Sequence, residues 1–370
     1  MNGESADDSN WRRLLDSQRG EIDHIDGQII SLLSKRQRAA AEIGKVKRNL
    51  GIEIQDPARE REILRQLTSR NDKDLSEGAI RTIFSEIMSA ARAVQKDLTV
   101  GYLGPEATFN HQAALSLYGR LATFRPADTI EEVFRMVENG VCQQGVVPIE
   151  NSYEGSVNMT LDMLRKYELR ISAERLLRIR HQLLSRAVRL NEINRVYSHP
   201  MAIAQCHPWL KANLPSVPVK EVTSTSLAAK MASQEPQAAA VGSRLAGETY
   251  GLNTVKENIE DDPANVTRFI VIGKSETGPT GKDKTSLLLS LNHRPGALYV
   301  ALEPVARRGI NMLRIESRPM KTRNWEYLFF VDLEGHAHDP NVDGAITEMQ
   351  NGCAFVKRLG SYPIGGEPWD

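Results

Sequence analysis

Arg19, Arg36 and Lys47 share one face of a single predicted helix with its apolar residues, where a soluble helix ordinarily carries hydrocarbon. Alternating steps of four and three from Leu15 pass through Arg19, Ile22, Asp26, Ile29, Leu33, Arg36, Ala40, Ile43 and Lys47, flanked by Ile25, Leu32, Ala39 and Val46. A cation left unpaired in an apolar interior is costly, so three along one seam require carboxylates from the protein or from a ligand. Asp26 can satisfy one of them, and a salt-bridged coiled-coil seam is the competing explanation. Between Trp11 and Arg48 there is no proline, and glycine occurs only at Gly20, Gly27 and Gly44, which predicts one continuous helix. At 1.5 Å per residue it is about 55 Å long, so its stripe needs a second chain to cover it. Asp56-Pro57 supplies an N-cap and a first-turn proline for a short helix through Leu67. Ser76 caps a third helix with the stripe Ile80, Ile83, Phe84, Ile87, Met88, Ala91 and Val94, ending on Gln95. Residues 1–97 therefore read as an all-helical, dimeric domain.

A chain of 370 residues exceeds one compact core and predicts two or three domains. Acids and bases balance at 47 each, so no global field favours nucleic acid or a membrane surface. No apolar run approaches a spanning helix, and the acidic N-terminus lacks the apolar segment of a signal peptide. Cys142, Cys206 and Cys353 are odd in number and far apart, which gives no disulfide framework. His199 and His207 flank Cys206 in no metal-ligand spacing, so no metal is expected. A cytoplasmic protein fits all of these features.

At Leu98 the pattern changes to short apolar runs alternating with amphipathic stretches: Val100-Gly-Tyr-Leu, Gly145-Val-Val-Pro-Ile, Arg195-Val-Tyr-Ser, Ala239-Ala-Val-Gly and Phe269-Ile-Val-Ile. That alternation predicts an α/β domain over residues 98–274. The runs end in polar or small residues, Gly104-Pro-Glu-Ala-Thr-Phe, Glu150-Asn-Ser, Ser198-His-Pro, with Thr223-Ser-Thr-Ser farther on. Strand ends and helix N-termini of that kind suit a small acidic ligand. Gly101-x-x-Gly104 lacks the third glycine of a dinucleotide fingerprint and runs into Pro105, so no nucleotide cofactor is expected. Residues 275–284 have the composition of a linker, and residues 284–363 read as βαββαβ, an α+β ferredoxin-like unit.

Five motifs then occur together: Val147-Pro-Ile-Glu-Asn-Ser, Tyr197-Ser-His-Pro, Thr267-Arg-Phe, Gly296-Ala-Leu and Glu316-Ser-Arg-Pro. In order and spacing they resemble, over nearly the whole chain, the bifunctional chorismate mutase and prephenate dehydratase of phenylalanine biosynthesis. The resemblance implies three parts: an intertwined helical mutase dimer, a bilobal α/β dehydratase domain like periplasmic binding proteins, and a C-terminal ACT regulatory domain. It also accounts for the cationic stripe. Chorismate is a dicarboxylate that rearranges intramolecularly, so its enzyme needs no nucleophile, only a compact bound conformer and stabilised charge on the ether oxygen. On the family's pattern Arg19, reaching across from the partner chain, and Arg36 hold the carboxylates. Lys47 is shared between a carboxylate and the ether oxygen, and Gln95 donates to the same oxygen. Asp56 and Glu60, with Arg59 beside them, match residues near the ring hydroxyl. Ala91 stands where the family often has a hydroxyl residue, which removes one contact.

For the middle domain the resemblance implies loss of carbon dioxide and hydroxide from prephenate. Thr267 is the expected hydrogen-bond donor to the departing hydroxyl, aided by Glu150. Asn151 and Gln205 match substrate-orienting positions, Thr108, Ser198, Thr223 and Ser224 lie on strand ends suited to the anion, and Arg268 and Phe269 complete the motif. In the ACT domain Gly296, Ala297, Leu298, Glu316, Ser317, Arg318 and Pro319 form the expected site for the effector phenylalanine. The implied assembly is a homo-oligomer, dimer or tetramer. Two other readings stay open at this level: a dehydratase using arogenate, and a non-catalytic ligand-sensing module fused to a mutase.

An amide donates at every pH, whereas a glutamate in its place donates only when protonated. The Gln95→Glu variant is therefore expected to confine chorismate rearrangement to acidic conditions. A flat pH profile for that variant removes Gln95 from the ether-oxygen role.

Overall fold

With no proline before Pro57, the first helix runs unbroken over Ala6–Asn49, 44 residues or about 66 Å. The computed structural model describes residues 6–50, 57–70, 74–95, 98–291, 294–319 and 327–369. The chain divides into two compact units, Met1–Gln55 with Gln66–Asp97, and Asp56–Arg65 with Leu98–Asp370. In the first unit the long helix packs on Glu77–Ala93, which Ser76 caps by accepting a hydrogen bond from Ala79 N–H. Ala40, Ile80, Met88 and Ala91 are buried, but Leu15, Ile22, Ile25, Ile29, Leu32, Ile43 and Val46 are exposed. The predicted stripe is thus present and largely uncovered within one chain. The short second helix spans Pro57–Ser69; the expected cap Asp56 lies outside the described residues.

Two mixed sheets build the middle domain. The first has the strand order Thr123–Ala127, Thr99–Leu103, Gln144–Asn151, Val266–Gly273 and Arg170–Arg178, with the short strand Gly155–Ser156 turned back on Gln144–Asn151. Thr99–Leu103 is parallel to both neighbours, and Val266–Gly273 is antiparallel to both of its own. The second sheet has the order Asn253–Lys256, Gln182–Ser185, Ala238–Gly242, Arg195–Ser198 and Val219–Glu221. The chain crosses between them twice, after Arg178 and before Val266. The crossings are tied by Ile179 N–H to Asn265 O at 2.9 Å and Ile259 N–H to His181 O at 2.9 Å. All five apolar runs are strands. Arg170–Arg178 carries no such run, because its sequence RISAERLLR spends three arginines and a glutamate on buried or half-buried contacts.

The last domain has the expected βαββαβ order: strand Asp283–Leu291, helix Ala297–Arg307, strands Met312–Pro319 and Tyr327–Glu334, helix Pro340–Gly352 and strand Cys353–Pro363. Its four-stranded sheet places Met312–Pro319 at one edge and Cys353–Pro363 at the other. Alternation divides the sheet between two cores. Leu287, Leu289, Val331 and Leu333 pack with helix residues Ala301, Val305, Ala345 and Met349. Leu288, Leu328, Phe330 and Leu359 face the other way and join Ile149, Ile171, Ile270 and Ile272 of the middle domain in one continuous core. Residues 275–284, linker-like in composition, are pinned: Thr277 Oγ1 donates to Ser172 O at 2.8 Å, and Asp283 accepts from Thr280 and Gly281 N–H.

A charged cluster lies in this junction. Arg268 donates through Nε to Glu174 and through Nη1 to Asp332, both at 2.7 Å, and through Nη2 to Tyr362 Oη at 2.9 Å. Lys284 Nζ stands 3.0 Å from Glu174. Ser286 Oγ lies 2.6 Å from both Asp332 and Tyr362, so the proton order is set: Tyr362 donates to Ser286, which donates to Asp332. Burial, the largest single influence, would raise the Asp332 carboxyl, but the Arg268 guanidinium, the Ser286 hydrogen bond and the charge of Lys284 together outweigh it and hold the group below its usual range. That contribution to stability is complete above the ordinary carboxylate pKa of about 3.9 and is lost as the pH falls below it. Replacing Arg268 by alanine takes from Asp332 the cation it touches and leaves Glu174 with Lys284 alone, and is expected to destabilise the second unit by about 3–5 kcal/mol in urea denaturation at pH 7. A loss under about 1 kcal/mol would show that the cluster relaxes or hydrates.

Candidate active and regulatory sites

In the helical unit Arg36 is half buried, and its Nη1 donates to Ile87 O at 3.4 Å. Lys47 is also half buried, and Gln95, just past the third helix, is 9% exposed. Gly44 decides how Gln95 sits. A Cβ there would stand 2.7 Å from Gln95 Cγ and 2.9 Å from its Cβ, so only a glycine admits the glutamine against the first helix. Gly44 and Lys47 are three residues apart on one helix face, which brings Gln95 alongside Lys47. Arg19, in contrast, is exposed with only Asp16 nearby at 3.8 Å. It lies 17 residues before Arg36, about 26 Å along the axis at 1.5 Å per residue. Within one chain Arg19 is therefore remote from Arg36 along the helix. Ala91 is buried and has no polar group to offer; Arg59 is exposed and Glu60 half buried.

In the middle domain Thr267 pairs across the sheet with Asn151. Asn151 Nδ2 donates to Thr267 Oγ1 at 2.8 Å and to Asn265 Oδ1 at 2.8 Å, while its Oδ1 accepts from Tyr153 and Glu154 N–H. With that amide saturated, the Thr267 oxygen accepts from Asn151 and the Thr267 O–H is directed elsewhere. Asn265 was not read from the sequence. Its position two residues before Thr267 on the approach to the same strand is the period-two signal that identifies it.

The structure corrects several expected roles. Glu150 and Arg268 pair with each other across the sheet one position from Asn151 and Thr267, so they point to the opposite face. Glu150 there meets Arg314 Nε at 3.2 Å and Arg268 Nη1 at 3.6 Å, so it cannot assist Thr267 directly. Arg268 is committed to the buried junction, and Phe269 is 1% exposed in a core with Val100, Tyr102 and Leu177; neither faces a ligand. Thr108 Oγ1 accepts from His111 N–H and donates to Pro105 O at 3.0 Å. Ser198 is fully buried and donates to Val241 O at 2.8 Å. Ser224 caps the helix Thr225–Ala232 by accepting from Leu227 N–H, while Thr223 is exposed. These hydroxyls shape loops and helix starts.

Gln205 holds a histidine that the sequence did not single out. His181 Nε2 and Gln205 Oε1 are 2.9 Å apart at the crossing between sheets, and Phe109 packs edge-on against the ring. Burial pushes the His181 pKa down, so the ring is neutral and Nε2–H donates to the amide oxygen. Beside it Glu260 accepts from Arg180 Nη1 at 2.9 Å and from His181 N–H at 2.8 Å. His199 caps its own helix by accepting from Met201 N–H, and burial raises the thiol pKa of Cys206. Among the described residues no group of three His, Cys, Asp or Glu is arranged to hold a metal ion, and no helix is long and apolar enough to cross a membrane.

In the last domain Gly296 has φ +76° at the start of the helix Ala297–Arg307, a conformation that favours glycine. Ala297 is buried and Leu298 half buried. On the edge strand Ser317 and Pro319 are exposed, whereas Glu316 and Arg318 lie on the half-buried face. Arg318 is committed to the middle domain, donating to Asn158 O at 2.6 Å and Asp162 Oδ1 at 3.0 Å, which corrects its expected effector contact.

Three family models match successive parts of the chain. The type II chorismate mutase model matches residues 18–96, the prephenate dehydratase model 100–277 and the ACT domain model 285–349. The bifunctional chorismate mutase/prephenate dehydratase of Aquifex aeolicus is 46% identical over 350 residues, covering 93% of this chain and 96% of that one. This chain belongs to the bifunctional chorismate mutase/prephenate dehydratase family. The Neisseria gonorrhoeae member is 42% identical over 353 residues, covering 95% and 97% of the two chains. The solved prephenate dehydratase of Arthrobacter aurescens, in complex with L-Phe, is 36% identical with a TM-score of 0.66, covering 72% of this chain and 90% of that one. The protein is thus a multidomain enzyme with a helical mutase segment, an α/β dehydratase segment and an ACT segment.

Gly44→Ala adds a methyl group where Gln95 sits. It gains roughly 1 kcal/mol of helix propensity, yet is expected to lower chorismate turnover at least tenfold while prephenate turnover is unchanged. Full mutase activity in the variant would show that Gln95 is not held against the first helix.

Proposed function

We propose that the protein converts chorismate to prephenate on its helical unit and prephenate to phenylpyruvate in its dehydratase domain, and that phenylalanine bound to the ACT domain slows the second reaction. Full-length similarity to bifunctional relatives supports both activities. The rearrangement is intramolecular, so Arg36 and Lys47 hold the carboxylates while Lys47 and Gln95 donate to the ether oxygen as its charge grows. Arg19 completes the site from a second copy of the chain, which the exposed apolar stripe also requires. The working form is a homo-oligomer, and three buried free cysteines suit the cytoplasm.

For the dehydratase the supporting observation is the Asn151 amide donating to Thr267 Oγ1. It leaves the Thr267 O–H to donate to the departing hydroxyl of prephenate while the carboxylate leaves as carbon dioxide. Aromatisation of the ring drives the step, so a positioned hydrogen bond suffices where a strong acid would otherwise be needed. Asn151 serves the substrate through Thr267, and Asn265 helps to hold the Asn151 amide in that orientation.

Purified protein given chorismate alone, without added metal or nucleotide, is expected to form phenylpyruvate, and the rate to fall when phenylalanine is added. Prephenate that accumulates without phenylpyruvate would leave the mutase assignment and remove the dehydratase one. Comparison with arogenate on the same preparation tests the choice of substrate. Thr267→Ala with full dehydratase turnover would take that hydroxyl out of the mechanism.

A further inference from the structure

Asn151 sits on a small hairpin in which Glu150 pairs with Ser156 and Asn151 with Gly155. One side chain from the ACT domain holds both strands of that hairpin. Arg314 Nε is 3.2 Å from Glu150 Oε2, and its Nη2 donates to Ser156 Oγ at 2.5 Å. Its side chain is 11% exposed, so water screens this contact weakly. A planar guanidinium suits a site that joins a carboxylate on one strand to a hydroxyl on the other. Two positions beyond Glu316, Arg318 holds Asn158 O and Asp162, on the helix that follows the hairpin. The edge strand that carries Glu316-Ser-Arg-Pro therefore grips the segment from 150 to 162 at two points, on either side of Glu316 and Ser317. The grip continues to the catalytic strand. Arg314 is paired in register with Asp332, which holds Arg268, and Arg268 neighbours Thr267.

We propose that Arg314 is a positioning residue for the dehydratase: it holds the hairpin so that Asn151 can orient Thr267, and the ACT domain acts on the reaction through it. This rests on the reading of phenylalanine as a regulator of the dehydratase. A ligand shifts an equilibrium only by binding two states differently. Here the two states are the gripped hairpin, with the Asn151–Thr267 hydrogen bond formed, and the released hairpin, without it. Phenylalanine bound along Glu316 and Ser317 displaces the strand that supplies the grip and favours release.

The test is Arg314→Gln in the full-length protein. Its dehydratase kcat is expected to fall at least tenfold with KM changed less than threefold, and the residual rate to be insensitive to phenylalanine. Phenylalanine binding by calorimetry is expected within threefold of the parent. That binding, with a cooperative urea transition, reports that the second unit has folded, and chorismate turnover is expected to be unchanged. Arg314→Lys keeps the charge at Glu150 but loses the fork to Ser156, and is expected to recover part of kcat. Should Arg314→Gln not fold, Ser156→Ala removes the second half of the contact with a milder change and is expected to lower kcat and the depth of inhibition together. Wild-type kcat with undiminished phenylalanine inhibition in Arg314→Gln, or in Ser156→Ala if the first variant is insoluble, overturns the proposal. Parent protein that binds phenylalanine without slowing would instead overturn the regulatory reading.

Discussion

The buried guanidinium of Arg268 is the interaction on which the larger unit depends. It lies on the strand Val266–Gly273, next to the edge strand of the dehydratase sheet, and its carboxylate partners come from opposite sides of the domain junction: Glu174 from that edge strand and Asp332 from the ACT sheet. Either domain alone would leave a charge without its partner, and breaking such a buried pair costs far more than leaving both groups in water. The surrounding apolar contacts, Phe330, Leu328 and Leu359 against Ile149, Ile171 and Ile270, supply the burial that makes the ion pairs strong. A close backbone approach completes the junction, since a side chain at Gly360 would collide with the Ile171 carbonyl oxygen.

Alternation along two paired strands then divides their side chains between two environments. Thr267 and Asn151 face one way and Arg268 and Glu150 the other, so the same two strands carry the Asn151–Thr267 hydrogen bond on one face and the domain junction on the other. The ACT sheet repeats this economy. One of its faces is covered by its own helices and the other by the dehydratase domain, which leaves only the edge strand and the neighbouring helix start for an effector.

The helical unit works under a different constraint. A helix of 44 residues has more apolar surface than the one short partner helix can cover, so Ile22, Ile29 and Ile43 remain exposed. Exposed cations such as Arg19 therefore share that surface with exposed aliphatic residues.

Much of this was legible in the residues. Helix length followed from the spacing of prolines, and the βαββαβ order from apolar runs separated by turn residues. Strand Arg170–Arg178 was not legible, because charged residues that find partners in a distant domain look like surface residues in a linear reading. Glu150, Arg268 and Phe269 were misassigned for a related reason: a motif places residues in order, but the pleat decides which face each one meets. Gly44 was visible only as a helix cost, and its use, admitting Gln95, appears once the third helix is packed. By itself the sequence determined the elements, their order and the chemistry on offer, since these depend on local periodicity and residue type. Tertiary structure alone decided which charges are buried together and which hydroxyl accepts from the Asn151 amide, because both depend on atoms 64 to 116 residues apart being brought within hydrogen-bond distance.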